Sequence, residues 1–123
     1  MTARHPSTVV GMGGLLVIVS SVLWCGVPEI LAKTGRADKG RAIFMESCQH
    51  CHGTKGDGRS ELAGYLTPPP ANLLDKATQS KTDEELRKII LEGRTGTAMA
   101  GFEGALDEVG VADVIAYIRS LGS

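Results

Sequence analysis

Cys48, Gln49, His50, Cys51 and His52 are consecutive and hold the densest cluster of reactive side chains in the 123-residue chain. Two thiols three residues apart, with an imidazole directly after the second, form the C-x-x-C-H pattern of covalent c-type haem attachment. The spacing has a physical reason. The thiols reach the two vinyl groups of one haem as thioethers, and the adjacent imidazole falls beneath the iron as an axial ligand. Three other readings compete. A Cys48–Cys51 disulfide of the thioredoxin type needs flanking strands, and no alternating strand pattern or hairpin signal is present. A structural zinc site needs four ligands, and beyond Cys48, Cys51 and His52 the candidates are His50 inside the motif and His5 and Cys25 near the N-terminus. The third is a chance match. Haem attachment fits best, with His50 as a solvent-side spacer.

The elements that must position this motif read as helices. The first pattern, about Asp38 to Cys48, places Ile43, Phe44 and Cys48 at helical spacing, with Gly40 one turn before Phe44. It runs straight into the motif. The second opens with a Thr82/Glu85 capping box, sets Leu86, Ile89 and Ile90 on one face, and stops at Gly93. The third runs from about Asp107, its N-cap, to Leu121; Val111, Val114, Ile115 and Ile118 share a stripe beside Tyr117 and Leu121, and Gly122 ends it. Gly53–Gly58 and Thr67–Asn72 are loop chemistry. The predicted fold class is all-α: three main helices around one covalent haem.

Composition bounds the rest. With 42% apolar, 22% charged and a formal charge of −1, the chain fits one small domain and lacks the basic excess of a nucleic-acid binder. Only 4% of residues are aromatic, so the core is thin and a large apolar cofactor would fill it. A charge-free run of 23 residues, Pro6 to Pro28, follows Arg4 and His5 and precedes Glu29. As a helix it spans about 34 Å, enough to cross a bilayer, with the basic flank kept in the cytoplasm. Its four glycines and the short dense block Leu15–Val19 equally suit a signal peptide, though Ile30 spoils the small-residue cleavage pattern before Ala32. Cys25 as a lipid-attachment site is disfavoured by bulky Trp24. Residues 1–32 are thus a signal peptide or anchor with a short tether. Residues 33–123 form the haem domain, on the periplasmic side in either case.

The stretches ADKGRAIFMESCQHCHGTKGDG, TPPPANL, TDEELRKIILEGRTGTAMAGF and VADVIAYIRSL, in that order, resemble the small class I c-type cytochromes of bacteria. The resemblance covers nearly all of residues 37–121. It implies the cytochrome c fold, one covalent haem c on Cys48 and Cys51, His52 as proximal ligand and Met99, in Gly96-Thr97-Ala98-Met99, as distal ligand. Position agrees, since Met1 and Met12 lie in the leader and Met45 on the incoming helix; the competing use of Met99 is core filling. Family members often carry Pro after this Met, whereas Ala100 and Gly101 follow here, so the loop lacks a stiffening ring. Gly40, Phe44 and Tyr117 fit the places where the family's first and last helices cross. A loop carbonyl would accept the axial imidazole N–H, with Pro68, Pro69 and Pro70 as candidates; the bland reading of that run is a polyproline connector.

His/Met ligation leaves iron without an open site and raises its potential, which describes an electron carrier. The expected partners are redox proteins that donate and accept electrons. One alternative makes the chain the haem subunit of a larger membrane oxidoreductase. Another, a haem-based gas sensor or peroxidase, needs an open sixth site. From Met99 onwards there are four acids and only Arg119, read as a solvated helix face.

Overall fold

The computed structural model describes residues 34–123, so the expected leader over 1–32 lies outside them. The described residues form helices α1 (Ala37–Ser47), α2 (Gln49–His52), α3 (Lys76–Gln79), α4 (Asp83–Glu92) and α5 (Glu108–Leu121), with a 3-10 turn at Ala63–Tyr65. No strand occurs among them, and a lone bridge joins Glu103 and Leu106. The three long helices are the predicted ones. The turn at Ala63–Tyr65 and α3 lie inside stretches too short to show a period; α3 is nucleated by Asp75, whose side chain accepts from Thr78 N.

α1 crosses α5, and this pair is the frame of the domain. Gly40 makes the crossing possible: a Cβ there would lie 1.8 Å from the Asp113 carbonyl oxygen. One turn on, fully buried Phe44 packs against the Tyr117 ring with centroids 5.2 Å apart. Val111, Val114, Ile115 and Ile118 of α5 complete this side of the core, and Leu86 and Ile90 extend it from α4. The Thr82–Glu85 capping box is formed in both directions, and Gly93 closes α4 at φ 76°.

Of the four acids from Met99 onwards, Glu103, Asp107 and Glu108 are exposed as expected of a solvated face, and Asp113 is the exception. Asp113 is buried, and its Oδ1 accepts the Arg36 backbone N–H at 2.7 Å while Oδ2 lies 3.4 Å from the Arg36 guanidinium. It sits on the buried stripe beside Val114, where α1 begins, and a buried carboxylate is tolerable only with such partners. Glu108 pairs with Arg87, whose hydrogen bond holds the carboxyl below its usual range. Arg119 reaches back across the molecule, donating to the carbonyls of Gln79 and Lys81 and to the Asp83 carboxylate.

Candidate haem site

α1 delivers the motif. Its C-cap is Cys48, whose N–H closes on the Phe44 carbonyl at 2.8 Å. The chain then makes one further turn, with the Cys51 and His52 N–H groups both on the Cys48 carbonyl at 3.2 and 2.9 Å. That turn puts Cys48, Cys51 and His52 on the wall of one cavity of about 380 Å³. Gln49 is tied back to the Met45 carbonyl, and His50 is exposed, as a spacer should be. Ser60 Oγ donates to the Cys51 carbonyl at 3.0 Å, a tie invisible in the sequence because it depends on the loop's return.

Both thiols are free, and burial, reinforced by the neighbouring Cys51, pushes the Cys48 thiol up to about 11.

The imidazole is held by the loop after it. Gly53 turns the chain at φ 78°, and Gly58, at φ 75°, returns its N–H to the His52 carbonyl at 2.8 Å. A Cβ on Gly58 would lie 2.7 Å from the Pro70 carbonyl oxygen, so the proline run lies directly over this turn. The acceptor for His52, however, is none of Pro68, Pro69 or Pro70. Nδ1 lies 3.0 Å from the Ala71 carbonyl oxygen. The three prolines set the path of the strap, and the residue after them turns its carbonyl to the ring. Leu73 N–H bonded to the Gly56 carbonyl at 2.7 Å and Thr78 Oγ1 donating to the Asn72 carbonyl at 2.9 Å anchor the far end of the strap. A carbonyl can only accept, so Nδ1 carries the proton and Nε2 presents the lone pair a metal needs.

Met99 lines the same cavity, on the loop between α4 and α5. Its carbonyl accepts the Arg94 N–H at 3.0 Å and its N–H meets Thr97 Oγ1 at 3.2 Å. Thr97 Oγ1 in turn donates to the Arg94 carbonyl at 2.8 Å. Phe102 and Glu103 close the loop on the Ile90 and Leu91 carbonyls. These bonds take the place of a stiffening proline ring. Leu66, the three prolines and Phe102 make most of the remaining wall apolar, with Arg94 its one charged side chain beyond the motif.

Two thiols, an imidazole with its Nδ1 engaged and a thioether thus converge on one apolar cavity, which fits a covalently held haem. A larger cavity, of about 680 Å³, lies against α4 and α5 and is lined by Asp83, Arg87 and Arg119 among others; it offers no thiol, imidazole or thioether. The sequence singled out Cys48, Cys51, His52 and Met99, which line one cavity; it did not reveal the Ala71 carbonyl, Ser60 or Arg94 as parts of the wall or its supports.

Residues 35–118 match the family described as cytochrome c oxidase, cbb3-type, subunit III. Over 88 residues the chain is 35% identical to dihydro-heme d1 dehydrogenase of Pseudomonas aeruginosa, covering 72% of this chain and 16% of that protein. It is 33% identical over 95 residues to a cytochrome c-553-like protein of Synechocystis sp., covering 77% of this chain and 78% of the other. The chain thus spans about a sixth of the first relative and most of the second. Among solved structures, the c-type cytochrome KustC0563 superposes with a TM-score of 0.59 over 68% of this chain and 98% of its own, at 22% identity, which shows a shared fold.

Proposed function

The chain belongs to the c-type cytochrome family that includes subunit III of cbb3-type oxidases, and on that premise we propose that it is a monohaem electron carrier with His/Met ligation at the periplasmic side of the membrane. Its cofactor is covalently bound haem c, and its role is electron transfer. In the proposed site Cys48 and Cys51 would hold the haem as thioethers, and His52 and Met99 would hold its iron. Residues 1–32 are the signal peptide or anchor, and residues 33–123 the haem domain.

The observation that carries this reading is the convergence of Met99 with His52 on one cavity, His52 being locked by the Ala71 carbonyl. The bound haem supplies a one-electron iron couple. Everything else is the work of the chain. The Ala71 carbonyl fixes the tautomer and plane of the imidazole and raises its basicity. A Met99 thioether on the iron would favour the ferrous state, and the apolar wall of Leu66, the prolines and Phe102 would lower the polarity around it, so both would act to raise the potential. With His52 and Met99 both holding the iron, no position would be left for a substrate, and the chain would act as carrier and not as catalyst.

Met99→Ala tests the assignment. The sulfur-to-iron charge-transfer band of the oxidised protein should vanish, the potential should fall and exogenous ligands should bind, while Met45→Leu keeps the band. A wild-type protein without that band, or Met99→Ala protein retaining it, refutes the ligand assignment and with it the carrier reading.

A second reading has a specific support: the matched family is that of an oxidase subunit, and one relative is about six times longer than the shared region. In that reading the chain passes electrons inside a fixed membrane complex. Purification of the native protein from membranes separates the two, because a fixed subunit leaves with stoichiometric partners and a carrier leaves alone.

A further inference from the structure

Apart from the imidazole of His52 and the two thiols, the haem cavity is lined by a single ionisable side chain among the described residues, that of Arg94, and no carboxylate lines it. Arg94 sits between Gly93 and Gly96, both at φ 76°, in the loop that carries Met99. Its backbone is pinned at both ends. The N–H donates to the Met99 carbonyl at 3.0 Å, and the carbonyl accepts from Thr97 N at 3.1 Å and Thr97 Oγ1 at 2.8 Å. The loop therefore fixes where the side chain starts, and only the side chain itself is left to search for a partner.

Three arginines are committed elsewhere: Arg36 to Asp113, Arg87 to Glu84 and Glu108, and Arg119 to Asp83. The Arg94 guanidinium makes no ion pair or hydrogen bond with any described residue. Haem c is apolar over its ring and carries two propionate carboxylates at one edge. Arg94 is exposed where it lines the cavity, and it offers the one guanidinium a propionate could meet on an otherwise uncharged wall. A planar guanidinium matches a carboxylate with two parallel hydrogen bonds, which a lysine ammonium cannot reproduce.

We propose that Arg94 pairs with a propionate of the bound haem, making it a cofactor-binding residue that neutralises negative charge close to the iron. This rests on the haem reading of the cavity. The pairing couples two effects in one loop, because the backbone N–H of Arg94 holds the Met99 carbonyl while its side chain offsets the charge that would otherwise favour ferric iron.

The test uses the full-length holoprotein with three substitutions: R94Q, R94K and, as an exposed arginine on α1 away from the cavity, R41Q. At a fixed ambient potential R94Q should move the oxidised-to-reduced ratio roughly three- to tenfold toward the oxidised form. It should also shift the haem propionate bending mode in resonance Raman. R94K should retain most of the ratio and still alter that mode, because it keeps the charge and loses the fork. R41Q should change neither. The proposal is overturned if R94Q leaves the ratio unmoved, if the ratio moves while the propionate mode does not, or if R41Q moves the ratio as far. Should R94Q mature without haem, the propionate mode of R94K against wild type decides the same question. A haem stain on a denaturing gel keeps the two levels apart: an unstained wild-type band defeats the attachment reading, whereas stained protein with an unaltered R94Q defeats the pairing alone.

Discussion

Gly40→Ala is the sharpest probe of the frame that positions the motif. The added Cβ would lie 1.8 Å from the Asp113 carbonyl oxygen and 2.4 Å from its carbon, both backbone atoms in the middle of α5. Neither helix can turn a rotamer aside. To restore a contact of 3.4 Å, α1 and α5 would have to part by about 1.6 Å. A radial gap of about 0.5–1 Å already forfeits a quarter to a half of a van der Waals contact. The contacts at risk are those of Phe44, Val111 and Val114, each no more than 1% exposed. Alanine also gains about 1 kcal/mol of helix propensity over glycine. Overpacking of a well-packed core costs about 1–3 kcal/mol, and a collision with main chain belongs at the upper end. The net expectation is about 2 kcal/mol of destabilisation. For a domain of this size that lowers the midpoint of thermal unfolding by about 10 °C. The assay is far-ultraviolet circular dichroism of the holoprotein against temperature. Gly64→Ala is the control, since a Cβ there meets nothing within 4 Å. Gly40→Ala protein that unfolds at or above the wild-type midpoint would refute the close crossing.

Four further outcomes are expected from the same geometry. Gly58→Ala, strained at φ 75° and set against the Pro70 carbonyl, should push the strap away from His52, make the imidazole less basic and raise the reduction potential, as measured by redox titration. Arg119→Met keeps the aliphatic packing and strips three partners from the α3–α4 connection, so urea unfolding should show a loss of about 1–3 kcal/mol. Thr82→Ala should cost about 1 kcal/mol through the lost N-cap. Hydrogen bonds from the Thr82 backbone and side chain hold the Glu85 carboxyl below its usual range. Its contribution is therefore present above the ordinary glutamate pKa and lost as pH falls through the depressed one, and the stability gap between wild type and Glu85→Gln, read by urea unfolding, should close on acidification.

What was legible in the sequence was what repeats or caps within one segment. The stripe from Val111 to Ile118 and the Thr82–Glu85 box are local signals, and both helices begin and end within a residue of the places those signals marked. The residues of the proposed ligand set stand out because thiol, imidazole and thioether are scarce in this chain. What was not legible depends on distant segments meeting. Asp113 looks like any surface acid on a helix until Arg36, 77 positions earlier, is laid against it. The His52 acceptor is a main-chain carbonyl, which every residue possesses, so no residue type could mark Ala71 in advance. The prolines stood out because proline shapes straps; shaping the strap and supplying the acceptor are separate tasks, one residue apart.

The absence of proline after Met99 has a structural answer in the same terms. A ring at that position would restrict one backbone angle. The loop instead uses hydrogen bonds on both sides of Met99: Arg94 N–H on its carbonyl, Thr97 Oγ1 at its N–H, and Phe102 N–H on the end of α4. Gly93 and Gly101 permit this closeness, since a Cβ at either would strike main chain at 2.6 Å or less. Stiffness is thereby moved from one residue to a network that begins at the cap of α4. The strap over His52 is organised the same way, with Gly58 beneath it and the bonds of Leu73 and Thr78 securing its far end. Met99 is thus carried by a glycine-cornered loop bonded to its own carbonyls, and His52, at the end of α2, is overlain by a second such loop, while the α1–α5 crossing fixes only where the motif starts. Haem geometry is then sensitive to loop glycines and stability to Gly40, so substitutions in the two places should separate potential from folding.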